Sequence, residues 1–282
     1  MTIPIGMCDG DPPPEDLAYS TSPDPSVDKN CISYWYPRLE KSSVPMPETA
    51  LVDANDYIEG GPAFLNNIID GEPCPGFDEF VKEIQHEASC LGYPAFLRTG
   101  HTAGKHDWKR CCFVDSPEVV DQRVAGLIEF SSMAGLFGLP LDAWAVREML
   151  PTEPVFRCKQ YGNMPVVPEL RFFVRDSQVR YEIPYWPKEA LEQGRPDMGL
   201  DWWPAYLEAM AVVATDELMR PIREMASEAG AFLQGDWSVD FLYTERGWFL
   251  TDVAEASMSW GFEKERFEEG LVTNPMSVLW NS

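Results

Sequence analysis

The sequence has few of the side chains that usually bind structural metals. It contains three histidines and seven cysteines in 282 residues, and no two cysteines stand in a C-x-x-C spacing. A structural zinc site normally draws four Cys or His ligands from short, regular spacings. We therefore expect no structural zinc site, and we interpret the cysteines as free thiols in a reducing cytoplasm.

Basic residues are also scarce. The chain has 22 Lys and Arg against 46 Asp and Glu, which gives a formal net charge of −24. A surface of this sign repels the phosphate backbone, so no general affinity for nucleic acid is expected. An anionic ligand would need a local cluster of Arg and Lys, and the positions of the basic residues are therefore informative.

Long apolar runs are missing too. No stretch approaches the roughly eighteen apolar residues of a membrane-spanning helix, so no membrane partner is expected. The first residues lack a basic region followed by an apolar one, which argues against a signal peptide and favours the cytoplasm, or the host cytoplasm for a viral protein. The hydrophobic content of 45% predicts a globular chain of one large or two medium domains.

The apolar periodicity predicts a mixed α+β chain with hairpins instead of regular βαβ units. Residues 1–27 are rich in Pro, Asp and Ser and predict an irregular arm. The predicted helices are a short one within 28–45, an amphipathic one over 76–92, one over 117–137 and a long one over about 203–229, kinked at Pro221. The predicted strands lie in 48–53, 93–99, 109–114 and 143–151, followed by hairpins in 168–186, turning at Asp176-Ser177, and 237–257, and then by a mostly polar tail.

The second hairpin predicts two facing carboxylates. A three-residue loop over 245–247, ending in a glycine suited to the left-handed conformation, pairs Thr244 with Trp248 and sets Asp240 directly opposite Asp252 on one face. Facing aspartates repel unless a cation lies between them, and hard oxygen ligands near phosphate select Mg²⁺. An edge hairpin with solvated acids is an open alternative, and a two- or four-residue loop would put the aspartates on opposite faces.

Another informative stretch is "LRTGHTAGKHDW", residues 97–108. A Walker A loop has four residues between its glycines and Ser or Thr after its lysine. Here three residues separate Gly100 from Gly104, and His106 follows Lys105. We interpret it instead as one half of a two-part phosphate clamp, with Arg98 at the end of a strand and a movable loop whose backbone N–H groups cover phosphate oxygens. Arg171, on the polar face of the first hairpin, is a third candidate cation.

The order of these segments resembles the ATP-grasp superfamily over roughly residues 90–262. "FLRTGHTAGK" resembles its basic strand and phosphate loop, "AVREMLP" its adenine hinge, "PELRFFVRDSQV" its Glu-x-Arg strand, and "WSVDFLYTERGWFLTDVAEAS" its closing metal hairpin. Two departures are Arg98, where lysine is usual, and Ala254, where asparagine is usual. Both resemble a RimK-like clade marked by two arginines and a lysine, frequent in bacteriophages, and the related eukaryotic translation-factor assembly proteins.

The resemblance implies the ATP-grasp fold, with two α+β lobes whose antiparallel sheets enclose the nucleotide. The implied regions are a reduced N-terminal region over 28–92, a small lobe with the phosphate loop over 93–145 and a large lobe with the metal hairpin over 146–282. The implied cofactors are ATP and Mg²⁺. The implied catalytic residues are Arg98, Lys105 and Arg171, the metal ligands are Asp240, Asp252 and Glu255, and the further nucleotide-binding residues are Gly100, Thr102, Gly104, Arg147, Glu148, Met149, Leu150 and Glu169.

The implied activity is an ATP-dependent carboxylate–amine ligase that works through an acyl-phosphate and releases ADP, with a protein or peptide among its conceivable substrates. A protein that binds Mg-ATP and assembles or regulates a partner without ligation is an alternative of another class. A structural or inhibitory protein with a degenerate site is a third, because Ala254 replaces the expected asparagine.

Four further features have weaker functional interpretations. "KHDW" faintly resembles the lysine motif of polynucleotide ligases, and His101 and His106 suit proton transfer or are incidental. The vicinal Cys111 and Cys112 suit redox chemistry or packing. Trp202-Trp203 more naturally anchors a helix than stacks on a ligand.

Overall fold

The computed structural model describes residues 28–134 and 138–270. The predicted arm over 1–27, the last residues of the helix predicted over 117–137 and the tail from 271 lie outside the described residues. The described helices are α1 Ile32–Leu39, α2 Phe77–Leu91, α3 Val120–Ser132, α4 Lys188–Gln193, α5 Trp202–Val213, α6 Asp216–Leu233 and α7 Lys264–Glu269. The described strands are β1 Thr49–Asp53, β2 Ala95–Thr99, β3 Phe113–Val114, β4 Ala143–Glu148, β5 Phe156–Cys158, β6 Met164–Val166, β7 Glu169–Arg175, β8 Gln178–Pro184, β9 Asp236–Thr244 and β10 Gly247–Glu255.

The first sheet has the strand order β1-β4-β2-β3, and all its pairs are antiparallel. Helix α2 packs on it because its apolar residues recur on one face, which brings Phe80 against Trp144 of β4. The helix has acidic residues in its first turn and ends at Gly92, which has a φ of 92°. The predicted amphipathic helix over 76–92 is therefore confirmed.

The second sheet has the order β10-β9-β7-β8. Alternation along β7 sends Leu170 and Phe172 into the large core that α6 covers, and sends Phe173 to the opposite face against Tyr181. The turn of the first hairpin falls at Asp176-Ser177, as predicted, with Asp176 at a φ of 51°. This alternation also leaves Arg171 on the face away from the large core, where it pairs with Asp240.

The long helix predicted over 203–229 is wrong as a single element. It is two helices, α5 and α6, separated at Ala214-Thr215. Thr215 is extended and its hydroxyl accepts a hydrogen bond from the Leu218 N–H at 3.4 Å, so it caps a new helix. Pro221 lies inside α6, downstream of the actual break.

Other elements are also shorter than predicted. The helix predicted from 117 begins with a 3₁₀ turn over Pro117–Val119 before α3. The strand predicted over 109–114 is reduced to β3, because the Trp108 carbonyl accepts from the N–H groups of both Cys112 and Phe113 and closes a turn there.

The chain segment predicted as the N-terminal region is divided between the two sheets. Helix α1 buries Trp35 and Leu39 in the core of the second sheet and contacts α6. Strand β1 is part of the first sheet, and helix α2 packs on that sheet. In the described ranges 28–134 and 138–270, no helix combines the length and the apolar character needed to cross a membrane.

Candidate functional site

A cleft of about 840 Å³, including its open mouth, lies between the two sheets. Strands β2 and β4 of the first sheet form one wall, and β7, β9 and β10 of the second form the other. One part of its lining is apolar and the other is charged. The apolar lining includes Phe96, Trp108, Met149, Leu150, Met164, Val167 and Leu242, and the charged lining includes Arg98, Lys105, Arg147, Glu148, Glu169 and Asp252.

Arg98 and Asp252 form an ion pair across this cleft. Arg98 is the fourth residue of β2, almost fully buried, and its Nη1 lies 2.7 Å from Asp252 Oδ1. Burial opposes ionisation of Asp252, but the Arg98 guanidinium outweighs it and holds the pKa of Asp252 below its ordinary value. The predicted strand cation and metal carboxylate therefore meet directly.

Asp240 faces Asp252 as predicted, although the predicted three-residue loop is wrong. Gly247 pairs with Thr244, so the turn contains two residues, and a bulge between Leu250 and Asp252 restores the register. The additional residue is Thr251, whose carbonyl accepts from Arg147 Nη1 at 2.6 Å. The bulge therefore places the two aspartates opposite each other despite the shorter turn. It also directs the Thr251 carbonyl to the Arg147 guanidinium.

Arg171 binds Asp240 through two hydrogen bonds. Its Nε and Nη2 each lie 2.7 Å from a carboxylate oxygen of Asp240, in the fork geometry that suits arginine. The pairing follows from the ladder, since Arg171 and Asp240 are Cα partners in β7 and β9. Burial raises the pKa of Asp240 and Arg171 only partly offsets it.

Lys105 pairs with Glu169 at 3.1 Å. Glu169 begins β7 and is buried, and burial raises its pKa against the effect of Lys105. For Lys105, burial favours the neutral amine, but the negative charge of Glu169, together with Asp252, Asp240 and the Tyr185 phenol, raises the pKa. The lysine of the predicted phosphate loop therefore contacts the first residue of the predicted Glu-x-Arg strand.

Arg147 is buried with one nitrogen unsatisfied. Its Nε donates to Thr49 Oγ1 at 3.0 Å and its Nη1 to Thr251, but its buried Nη2 has no hydrogen-bond partner in the described part of the chain. Burial, followed by repulsion from the Arg98 guanidinium, lowers the pKa of Arg147 to about 9. A buried, under-satisfied guanidinium beside a second one is a site suited to an anion.

The loop of the predicted clamp is internally hydrogen-bonded. Thr99 Oγ1 accepts from the N–H of Thr102 at 3.2 Å, and Thr102 Oγ1 accepts from the N–H of Gly104 at 3.2 Å. A Cβ on Gly100 would lie 2.5 Å from Cys31 Sγ, so this glycine is required by close packing. Gly104 has a φ of 58° and turns the chain into Lys105.

The predicted hinge follows the end of β4 at Glu148. Its carboxylate accepts hydrogen bonds from the Glu48 N–H at 3.1 Å and from Arg246 at 2.9 Å. These bonds indicate that the side chain holds the turn of the second hairpin instead of binding a ligand. Met149 and Leu150 lie beyond the paired residues of the strand and line the apolar part of the cleft. This placement suits a flat apolar ring near free backbone groups.

Glu255 is not brought to the two aspartates. Its N–H donates to Asn30 Oδ1 at 2.7 Å, and its Oε2 accepts from Asn30 Nδ2 at 3.4 Å. Among residues 28–134 and 138–270, no three Asp, Glu, His or Cys side chains are placed to hold one metal ion. Asp240 and Asp252 present carboxylate oxygens on one face of the hairpin, and such hard oxygens are the ligand type that Mg²⁺ prefers.

The other candidates pack elsewhere. His106 stacks on Tyr161 with ring centroids 4.4 Å apart, and His101 Nε2 lies 3.7 Å from Asp28. Cys111 and Cys112 are buried, and burial raises the pKa of Cys111 to about 12, which leaves its thiol unreactive. Trp202 is buried against Phe156, as expected for an anchor.

Two residues at the site were absent from the sequence prediction. Asn30, just before α1, binds Glu255, and Tyr185, just after β8, lies beside Lys105 and Arg171. The "PYWP" sequence at 184–187 carries a signal, because two aromatic residues between prolines at a strand end suit a site wall as well as a core.

Comparison with known proteins gives a likeness in structure. No protein-family model matches the chain, and no curated protein matches it in sequence. Cdc123 from Schizosaccharomyces pombe superposes with a TM-score of 0.52 at 12% identity, over 85% of this chain and 90% of that one. C-terminally truncated Cdc123 gives 0.51 at 13%, over 82% and 86%.

A RimK domain ATP-grasp protein from Sphaerobacter thermophilus DSM 20745 has a TM-score of 0.44 at 13% identity, over 89% of this chain and 65% of that one. These identities are too low to transfer an activity, and the likenesses concern the fold alone. The chain therefore has the predicted α+β fold class, with two four-stranded antiparallel sheets, and it is similar in overall fold to Cdc123.

Proposed function

We propose that this protein is an ATP-dependent carboxylate–amine ligase that acts through an acyl-phosphate. The observation that carries the proposal is the buried Arg147, whose Nη2 lacks a partner in the described residues and which lies beside Arg98 at the charged end of a partly apolar cleft. In a chain of net charge −24, a local excess of buried guanidinium groups favours an anionic ligand. A nucleotide matches both ends, since its base is flat and its phosphates are anionic.

The protein's part in such a reaction is placement and charge. A substrate carboxylate oxygen attacks the γ-phosphorus, the bond to the ADP oxygen breaks, and an acyl-phosphate forms. An amine nitrogen then bonds to the acyl carbon, the bond to the phosphate oxygen breaks, and the amine loses a proton to water. Arg98 and Arg171 offer forked donors to the transferring group, and Lys105 adds a point charge.

Magnesium, held by Asp240 and Asp252, would neutralise phosphate charge at this end of the cleft. To take that role, the two carboxylates must exchange their arginine partners for the ion. Arg98 and Arg171 would then bind phosphate oxygens, and the two ion pairs hold the groups for the metal and for the phosphates close together. No side-chain nucleophile is needed, which agrees with the burial of Cys111 and Cys112.

Calorimetric titration with Mg-ATP tests the nucleotide site. Lys105→Ala and Asp252→Ala should each weaken binding at least about tenfold, because the first removes a cation that would face the phosphates and the second a carboxylate that would hold the magnesium ion. Lys109→Ala, an exposed lysine four residues further along, and Asp236→Ala, a carboxylate paired with Arg175 on the exposed end of β9, are matched controls. Unchanged Mg-ATP affinity in both site variants would contradict the proposed nucleotide site.

Ligation is tested by release of ADP and phosphate. The full chain is offered Mg-ATP with pools of amino acids and short peptides, which contain both carboxylates and amines. A ligase releases both products only when both substrates are present. Mass spectrometry of the pool then identifies the amide that has lost one water.

The second candidate is a Mg-ATP-dependent assembly or regulatory factor without turnover. Ala254 favours it, because it replaces the asparagine usual at the metal hairpin of ligases, and Glu255 is bound to Asn30 instead of compensating for that loss. Mg-ATP binding with negligible phosphate release across all pools, together with nucleotide-dependent binding of a protein partner, would favour this function over ligation.

A further inference from the structure

Tyr185 lies where two of the proposed phosphate-binding cations meet. The Lys105 Nζ is 4.7 Å from the centroid of its ring, and the Arg171 Cζ is 4.8 Å from it. Both distances are within the roughly 6 Å over which a cation is attracted to an aromatic face. One cation comes from the loop of the first lobe and the other from β7 of the second, so a single ring contacts a cation from each.

The ring has a fixed position. The Tyr185 N–H donates to the Glu169 carbonyl at 2.9 Å, which extends the β7–β8 pairing by one residue. The Trp186 ring meets it edge to face, with centroids 5.0 Å apart and planes at 83°. Burial raises the pKa of Tyr185 to about 12, so the phenol is neutral at physiological pH and provides a neutral π face.

An aromatic face holds a cation without occupying its N–H donors. Glu169 and Asp240 also hold Lys105 and Arg171, but through hydrogen bonds that an incoming phosphate would have to replace. Attraction to the ring persists while those donors turn to phosphate oxygens. It also offsets the repulsion between two like charges gathered at one corner of the cleft.

We propose that Tyr185 is a positioning residue that holds Lys105 and Arg171 together for the terminal phosphate of a bound nucleoside triphosphate. This inference rests on the proposed Mg-ATP site and adds to it a residue that determines how the two cations are presented. Trp186, whose ring centroid lies 5.9 Å from Lys105 Nζ, is a second and more distant aromatic contact for the lysine alone.

The test changes the charge distribution of the aromatic ring at position 185 while keeping its shape. Phenylalanine and its mono-, di- and trifluorinated analogues are placed at position 185, and the affinity for the magnesium complexes of AMP-PNP and ADP is measured by calorimetry. Fluorination weakens the negative face of the ring, so affinity for AMP-PNP should fall stepwise, by about tenfold over the series. Affinity for ADP should fall less, because the terminal phosphate is missing.

Two simple variants complete the test. Tyr185→Phe should bind AMP-PNP within about twofold of the natural chain, and Tyr185→Leu about tenfold more weakly. Tyr243→Leu is the matched control, since Tyr243 lies on β9 of the same sheet and packs against Trp248 away from both cations. Because the fluorinated series preserves packing, it decides the matter even where the leucine variant does not fold.

The outcomes separate the two proposals. A natural chain that binds neither nucleotide contradicts the Mg-ATP site and the positioning role with it. A natural chain that binds AMP-PNP, combined with a flat fluorination series or an equal loss for both nucleotides, overturns the role of Tyr185 alone. A Tyr185→Phe variant as weak as Tyr185→Leu would overturn it too, because it would assign the effect to the hydroxyl.

Discussion

Asp240 and Asp252 face each other in the same hairpin, yet their carboxylates are bound by arginines from different sheets. Arg171 of the second sheet binds Asp240, and Arg98 of the first sheet binds Asp252. The Arg98 pair, the Lys105–Glu169 pair and the bond from Arg147 to the Thr251 carbonyl all join the two lobes across the cleft. The groups proposed to bind phosphate and metal thus also join the two sheets across the cleft.

Breaking the Arg98–Asp252 pair from one side should destabilise the fold. Arg98→Met leaves a carboxylate facing Asp240 without its cation, and we expect the free energy of unfolding to fall by about 1–3 kcal/mol. The double variant Arg98→Met/Asp252→Asn should recover part of that loss, because no unpaired charge is left. Urea denaturation of the four proteins measures the coupling, and strictly additive losses would show that the pair does not act as a unit.

Glu255→Gln should leave Mg-ATP affinity within about threefold of the natural chain, since a glutamine side chain can still bond to the Asn30 amide. Asp252→Asn, which changes one of the facing carboxylates by the same single atom, should weaken binding at least about tenfold. Titration at several Mg²⁺ concentrations compares the two. An equally large loss for Glu255→Gln would restore Glu255 as a metal ligand.

The buried Glu182 should make stability depend on pH. Burial raises its pKa, with Arg223 opposing, and its Oε2 has no hydrogen-bond partner in the described part of the chain. A carboxyl with a raised folded-state pKa stabilises the fold fully below its unfolded pKa of about 4.3, and that contribution is lost as pH rises through the folded pKa.

Relative to Glu182→Gln, the natural chain should therefore lose stability from about pH 4 upward until the folded pKa has been passed. Urea unfolding of both proteins between pH 4 and pH 8 measures this difference, in which the shared effect of the high net charge cancels. A difference that stays constant across this range, or that moves in the opposite direction, would contradict the raised pKa.

Gly230 in α6 should not tolerate alanine. Replacing an interior helical glycine by alanine normally stabilises a helix by up to about 1 kcal/mol. Here the added Cβ would lie 1.8 Å from the Asp176 carbonyl oxygen at the turn of the first hairpin, so the helix and the turn must move apart. We expect a loss of about 1–3 kcal/mol in thermal or urea unfolding. Ser227→Ala, in the same helix, should change stability little, and a stabilising Gly230→Ala would show that the contact is looser.

The sequence predicts those features that depend on local periodicity. The amphipathic α2, the turn at Asp176-Ser177 and the two faces of β7 follow from spacing alone. The separation of α5 from α6 is also visible in the sequence, since Thr215 precedes two acidic residues in a pattern typical of a helix start. The prediction instead assigned the irregularity to Pro221, which is the wrong position.

Features that depend on compensation between distant residues were not predictable. The facing of Asp240 and Asp252 was expected for the wrong reason, because the shorter turn and the bulge at Thr251 cancel each other and neither is visible in the spacing. Glu255 is bound to Asn30, which lies 225 residues earlier in the sequence, and it is therefore held away from the two aspartates. Tyr185 belongs to no periodic sequence pattern, and its proposed role depends on cations that two other elements supply.

The bulge at Thr251 also has a practical consequence. Pairing on the turn side of it runs in one register and pairing on the carboxylate side in another, and in this arrangement Arg246 of the exposed turn binds Glu148 of the first sheet. A fluorophore attached at the exposed Glu245 would therefore lie beside a contact that joins the two sheets. The hairpin turn thus offers an attachment point from which the Arg246–Glu148 contact between the sheets can be observed in solution.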